Sequence, residues 1–160
     1  MLGLIRGGKT SILTTGALAM CGRVVRYARW GSGEEALRIL CGVLGLGDVC
    51  SRVRVVASTS SSGALARVWG LHRVFQEAMS TGPIYVVEVV WRNFSELGCE
   101  ERVDVLLHEL AHIPSRPRGG VRPHNRAFYR SLELYRRAIR RAGPGVVEKL
   151  CELLSKPPSL

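Results

Sequence analysis

The order of apolar and polar residues divides the chain into short elements. Residues 31–49 place Ala36, Leu37, Leu40, Val43 and Leu44 at helical spacing. Ser32 is the expected N-cap, Glu34 and Glu35 fall in the first turn, and Gly45 and Gly47 close the helix. Residues 52–58 (RVRVVAS) alternate and are rich in valine, which predicts a strand. Residues 64–71 predict a second strand, and 72–79 fit either a short helix or a loop. Residues 84–91 (IYVVEVVW), opened by Gly82 and Pro83, give the clearest strand of the chain. A helix follows over 99–113, with Glu100 and Glu101 in its first turn and Pro114 beyond its end. Residues 115–123 form a loop by their Pro and Gly content. Residues 125–143 form a helix with Asn125 as its cap and Gly143-Pro144 as its stop, 146–154 a last short helix, and 155–160 a frayed tail. The sequence of helix, strands, helix, loop and helix defines an α+β domain with a small sheet. Residues 1–30 carry no comparable pattern. They are expected to be a poorly ordered or mis-assigned extension, which leaves 31–155 as the domain and 156–160 as a tail.

A length of 160 residues fits a single domain with a core of ordinary size. Charge changes the picture. Lys and Arg number 23 against 13 acids, for a net charge of +10, and Lys occurs only at Lys9, Lys149 and Lys156. Arginines cluster from Arg116 to Arg141. That stretch points to nucleic acid or another polyanion as a partner, against the plainer reading of an Arg-rich solvated surface. The five cysteines are odd in number and form no Cys-x-x-Cys. This argues against a disulfide framework and for a reducing, cytoplasmic compartment, with most cysteines serving as small buried apolar residues. Residues 1–21 faintly resemble a lipoprotein signal, but Met20 stands where a small residue belongs before Cys21, and a start at Met20 fits equally. The longest apolar runs are too short for a transmembrane helix, so no membrane partner is expected.

The chemistry is concentrated in VLLHELAHIPSRPRGGVRPHN, residues 105–125. On a helix, His108 and His112 lie one turn apart on one face and can address one ion. Glu109 is turned about 100° from His108, beside the ion rather than on it. There a carboxylate can take a proton from a metal-activated water and pass it to a leaving amine. A third protein ligand is required for a catalytic zinc site. Two residues are candidates, His124 and Glu133. The helix from 125 packs through Phe128, Leu132, Tyr135, Ile139 and Ala142. Extrapolated along it, His124 falls within about 40° of Phe128, whereas Glu133 falls about 140° away, toward solvent. His124 is therefore the favoured ligand, and Glu133 the expected surface partner of nearby arginines. Pro114, Pro117, Gly119 and Gly120 make the turn that returns His124. The exposed edge of the 84–91 strand is expected to hold an extended peptide. Glu88 within it is expected to face the surface, in preference to facing the cleft or orienting a ligand histidine. Tyr129 and Tyr135 are candidates to steady an oxyanion, with core packing favoured for Tyr135.

HELAH followed by HNRAFYR resembles the minimal zincin metallopeptidases of the SprT-like and WLM type, in which a histidine opens the helix after His-Glu-x-x-His and an aromatic follows it. HELAHIP with GGVRPHN more closely resembles a small family of predicted archaeal and phage metallopeptidases, and the likeness extends over roughly residues 35–130. The resemblance implies a minimal zincin-like domain with a three- to four-stranded, mostly antiparallel sheet. It also implies zinc bound by His108, His112 and His124, Glu109 as general acid/base, and a peptide or protein as substrate. Asn125 departs from the Gly that follows the third histidine in SprT-like proteins, and no zinc ribbon follows. Three functions remain: a zinc-dependent metallopeptidase, a protease acting on nucleic-acid-bound protein, and a non-catalytic nucleic-acid-binding domain in which zinc serves folding.

Overall fold

The computed structural model describes residues 24–160. The readings of a signal or a late start within residues 1–20 lie outside them. In chain order the elements are β1 (Tyr27–Arg29), α1 (Gly31–Leu44), α2 (Gly47–Cys50), β2 (Val53–Ser58), β3 (Ala66–Gly70), α3 (Arg73–Ala78), β4 (Tyr85–Val90), α4 (Trp91–Phe94), α5 (Cys99–Ala111), α6 (Arg126–Ala142) and α7 (Pro144–Leu154). The four strands form one mixed sheet in the order β1-β2-β4-β3. β1 is antiparallel to β2 and β3 is antiparallel to β4, while β2 and β4 run parallel with Val53 opposite Tyr85 and Val55 opposite Val87. The fold is α+β, as the pattern of elements predicted.

The period of two assigns the faces of the sheet. Val53, Val55 and Ala57 of β2, Ala66 of β3, and Tyr85, Val87 and Val89 of β4 share one face and are buried. Against it pack α1, over β2, and α5, over β3, with α6 and α7 completing the helical layer. The opposite face carries Arg54, Arg67, Trp69 and Glu88. The longer helices begin or end at local signals. Gly45 takes the left-handed conformation, φ 65°, after α1. The Glu101 carboxylate accepts the Gly98 N–H at 2.7 Å ahead of α5. Asn125 accepts the Phe128 N–H at 3.0 Å to cap α6.

Several expectations change. The N-cap of α1 is Trp30 and not Ser32, which lies inside the helix. The ordered chain includes residues read as extension and as tail: β1 pairs with β2, and the buried Trp30 indole donates to the Lys156 carbonyl at 2.8 Å. Trp30 also packs edge-on against Trp91 and Phe94. A single large indole thus anchors both ends of the domain, which hydrophobic periodicity does not register. The segment after β3 is a short helix, capped by the His72 ring accepting from the Val74 N–H. No helix among the described residues is long and apolar enough to cross a membrane.

The cysteines are the largest departure. Cys41 pairs with Cys50, and Cys99 with Cys151. Both bridges join residues brought together by the helical layer, so sequence spacing gives no hint of them. Four paired cysteines remove the ground for inferring a reducing compartment. The Cys99–Cys151 bridge spans 52 residues and ties the start of α5 to α7. Loop-closure entropy assigns it about 4 kcal/mol. Cys99→Ser should therefore lower Tm by about 10 °C in thermal unfolding. Reductant should lower wild-type Tm at least as far, and a Tm insensitive to both would contradict the bridge.

Candidate metal centre and active site

α5 is built to present a polar edge from an apolar body. Val103, Leu106, Leu107, Leu110 and Ala111 are buried, whereas His108 and His112, four residues apart, emerge on the side facing β3 and the 112–125 loop. Pro114 prevents the helix from continuing. The chain then passes close over the end of β3. A Cβ at Gly70 would collide with the Gly119 carbonyl, and Gly119 itself has φ +95° with the Leu71 carbonyl and Gln76 against it. The buried Tyr85 hydroxyl accepts the N–H groups of Arg118 and Gly119 at 3.3 and 2.9 Å and lies 3.1 Å from the Gly120 carbonyl, to which it donates. Gln76 adds a bond to the Leu71 carbonyl at 2.7 Å and a longer one to Arg118. Tyr85 and Gln76 were not legible as site residues, because each reaches the loop only through its backbone groups, more than thirty residues away in sequence.

This loop returns His124 to the two helix histidines. His124 Nε2 lies 3.1 Å from His108 Nε2, which lies 3.3 Å from His112 Nε2. One nitrogen from each of the three rings falls within 4.8 Å of the others. Phe128, fully buried, lies beneath all three rings at centroid distances of 4.9, 4.5 and 4.6 Å. The His112 Nδ1–H donates to the Arg122 carbonyl at 2.6 Å. That bond assigns the proton to Nδ1 and leaves a lone pair on Nε2, facing the other rings. Burial, together with the neighbouring histidines, holds His108 below its ordinary range. Burial likewise lowers His112, against the opposing pull of its bond to Arg122. Neutral imidazole is the form that binds a metal.

These residues fit zinc. Tetrahedral bonds of about 2.0–2.1 Å set ligand atoms about 3.3–3.4 Å apart, close to the spacing of His108 from each of its partners. An all-imidazole donor set suits zinc, as it does copper, iron and nickel. Glu133 is elsewhere. It is exposed on α6, accepts from Arg137 at 2.9 Å and Arg140 at 3.4 Å, and its carboxyl is lowered mainly by the bond from Arg137.

Glu109 is buried at the wall of the same cleft, which Ala66, Arg67, Val68 and Trp69 of β3 line on the other side. Burial pushes its carboxyl up to about 7, against a smaller lowering by the Val68 N–H. The strand at the cleft differs from expectation. β4 lies inside the sheet, with β2 on one side and β3 on the other, so it has no free edge. The free edge at the cleft is that of β3. The Leu65 carbonyl accepts from Val90 of β4, and the Leu71 N–H donates to Ile84 just before β4. Alternation therefore turns the backbone groups of Ala66 and Val68 toward the cleft.

Glu88 also differs. It lies on the outer face, as alternation requires, yet it is 2% exposed. The Ser58 hydroxyl, the Trp69 indole and Arg67 donate to it at 2.6, 2.8 and 3.0 Å. Burial alone would raise its carboxyl, and these donors together outweigh burial and lower it. It therefore fixes β3 to β4 instead of facing solvent or a histidine. Tyr129 stacks on His124 at a centroid distance of 6.3 Å and does not line the cleft, and Tyr135 is half-buried.

An α+β domain whose His-Glu-x-x-His helix meets a returning histidine beside a free strand edge has the site architecture of a metal-dependent hydrolase. The chain belongs to the family described as putative phage metallopeptidase, whose model matches residues 46–155. No curated protein and no solved structure matches it.

Two outcomes follow. Zinc content measured after dialysis should fall sharply in His124→Ala and stay at the wild-type level in Glu133→Ala, and the reverse pattern would overturn the choice of ligand. The raised Glu109 carboxyl makes folding more costly above pH 7, where it must be desolvated as an anion, than below pH 4.5, where it is protonated in both states. In metal-free protein, Glu109→Gln should raise the unfolding free energy at pH 8 by about 2–3 kcal/mol. That gain should shrink as pH falls from 7 to 4.5, as read by denaturant unfolding.

Proposed function

We propose that this protein is a zinc-dependent metallopeptidase that hydrolyses peptide bonds, with His108, His112 and His124 holding the metal and Glu109 as general acid/base. The observation that carries the reading is the convergence of three imidazoles beside the buried Glu109 carboxyl, in a cleft bounded by a free strand edge. When bound, zinc polarises a carbonyl and lowers the pKa of water. The chain's own residues do the rest. A substrate in extended conformation pairs with the outward backbone groups of Ala66 and with the Val68 carbonyl, the Val68 N–H being held by Glu109, which sets the scissile bond across the cleft. Glu109 takes a proton from the attacking water and delivers it to the departing amine nitrogen. The flanking cavity, about 640 Å³ and lined by Leu97, Val103, Leu107, Ile139 and Val147, lies further along α5.

Cleavage of an unstructured protein such as casein, by wild type loaded with zinc, tests this. Glu109→Gln should retain zinc and lose about 10²–10⁴-fold in kcat. Metal-dependent cleavage that survives this change would refute the mechanism. Absence of any cleavage, with unfolding on chelation, would favour a zinc-stabilised, non-catalytic domain.

A second reading concerns the partner. Arg126, Arg130, Arg137 and Arg141 are exposed along α6, whose only acidic residue is Glu133. The helix starts beside His124. We propose that this stripe contacts nucleic-acid phosphates and so brings the site to nucleic-acid-bound protein. Four such contacts give a log–log slope of affinity against salt of about −3.5 on duplex DNA. Affinity unchanged between low and moderate salt would exclude it.

A further inference from the structure

The two helix histidines belong to a rigid element, whereas His124 arrives on a loop. Something must fix the loop to the helix end within a few tenths of an ångström. Backbone contacts begin the job. Arg122 N–H donates to the His112 carbonyl at 2.6 Å, while the His112 ring donates back to the Arg122 carbonyl at 2.6 Å. The Arg122 side chain then turns inward instead of into solvent, unlike its neighbours Arg116, Arg118 and Arg126, which are exposed. Its Nη1 lies 3.2 Å from the Ala111 carbonyl at the end of α5, 3.4 Å from the Ala127 carbonyl and 2.8 Å from the Ser131 hydroxyl on α6.

Each contact has a physical reason. The last carbonyls of α5 lack helical partners, and a cation there is favoured by the helix dipole. Ala127 and Ser131 flank Phe128, the residue beneath the three imidazoles. Pro123, with its fixed φ, is all that separates Arg122 from His124. One guanidinium thus joins the end of the helix that carries His108 and His112 to the start of the helix that follows His124.

We propose that Arg122 is the positioning residue of the metal centre: its guanidinium locks α5 to α6 and so sets where His124 stands relative to His108 and His112. The proposal rests on the zinc reading above, and its test separates the two. Zinc affinity is measured by chelator competition, and ligand geometry by the visible spectrum of the cobalt(II) form, for wild type, Arg122→Met, Arg122→Lys and Ser131→Ala. Arg122→Met should lose about 10–100-fold in affinity, as removal of supports around metal ligands generally does. Its cobalt bands should shift and weaken while the far-UV circular dichroism of the metal-free protein is unchanged. Arg122→Lys should recover part of the affinity, because an ammonium still serves the Ala111 carbonyl. Ser131→Ala should show a smaller loss of the same kind. An Arg122→Met protein within threefold of wild type, with the same cobalt spectrum, would overturn the proposal. Should Arg122→Met fail to fold, an unchanged affinity and spectrum in Ser131→Ala would overturn it. Wild type that takes up no metal would defeat the zinc reading alone. The positioning is then read on metal-free protein by the imidazole ¹⁵N shifts of His112. A single Nδ1–H tautomer in wild type that becomes mixed in Arg122→Met supports it, and identical spectra overturn it.

Discussion

The site depends on a reciprocal pair of hydrogen bonds between His112 and Arg122. The His112 carbonyl accepts from the Arg122 backbone, and the His112 ring donates to the Arg122 carbonyl. The first bond ties the returning loop to the end of α5. The second decides which nitrogen of the ring is free. Without this pair, the loop containing Gly119 and Gly120 could leave α5 in many directions, and the entropy of those alternatives would oppose convergence of the three rings. Tyr85 holds the same loop from beneath, with a longer bond from Gln76 to the Arg118 carbonyl, and the close passage over Gly70 leaves it little space to move. The centre is preorganised by groups that never touch it.

Much of this was legible in the sequence, for reasons that are local. Valine alternation located β2 and β4 to within a residue or two, and helical spacing located α5 and α6. Extrapolating the packed face of α6 backward placed His124 near the inner side and Glu133 toward solvent, and in the structure His124 meets His108 and His112 while Glu133 is exposed. Other features depend on pairing between distant segments, and a single sequence has no local signal for that. The strand order, which gives the free edge to β3 and encloses β4, is one case. The burial of Glu88 beneath Arg67 and Trp69 is another: alternation identified its face correctly but not its cover. The Cys99–Cys151 bridge and the Trp30 anchor to Lys156 join segments far apart in the chain, and the Cys41–Cys50 bridge depends on how α2 packs against α1.

Glu109 illustrates a conflict between folding and chemistry. A carboxylate on the buried side of a helix is costly, and only one backbone N–H, that of Val68, offsets the loss of water. The helix gains stability elsewhere, from Leu106, Leu107 and Leu110 in the core and from the bridge at Cys99. A rigid, covalently tied helix can hold a destabilised group in place, and that group is the one the proposed chemistry uses.

The central claim is that three imidazoles, and no carboxylate, hold a metal whose fourth position is open. X-ray absorption at the zinc edge of the loaded wild-type protein tests it most directly. The account predicts three imidazole nitrogens at about 2.0–2.1 Å and one light atom from solvent. Two imidazoles with a protein carboxylate, or a shell closed by four protein ligands, would contradict it.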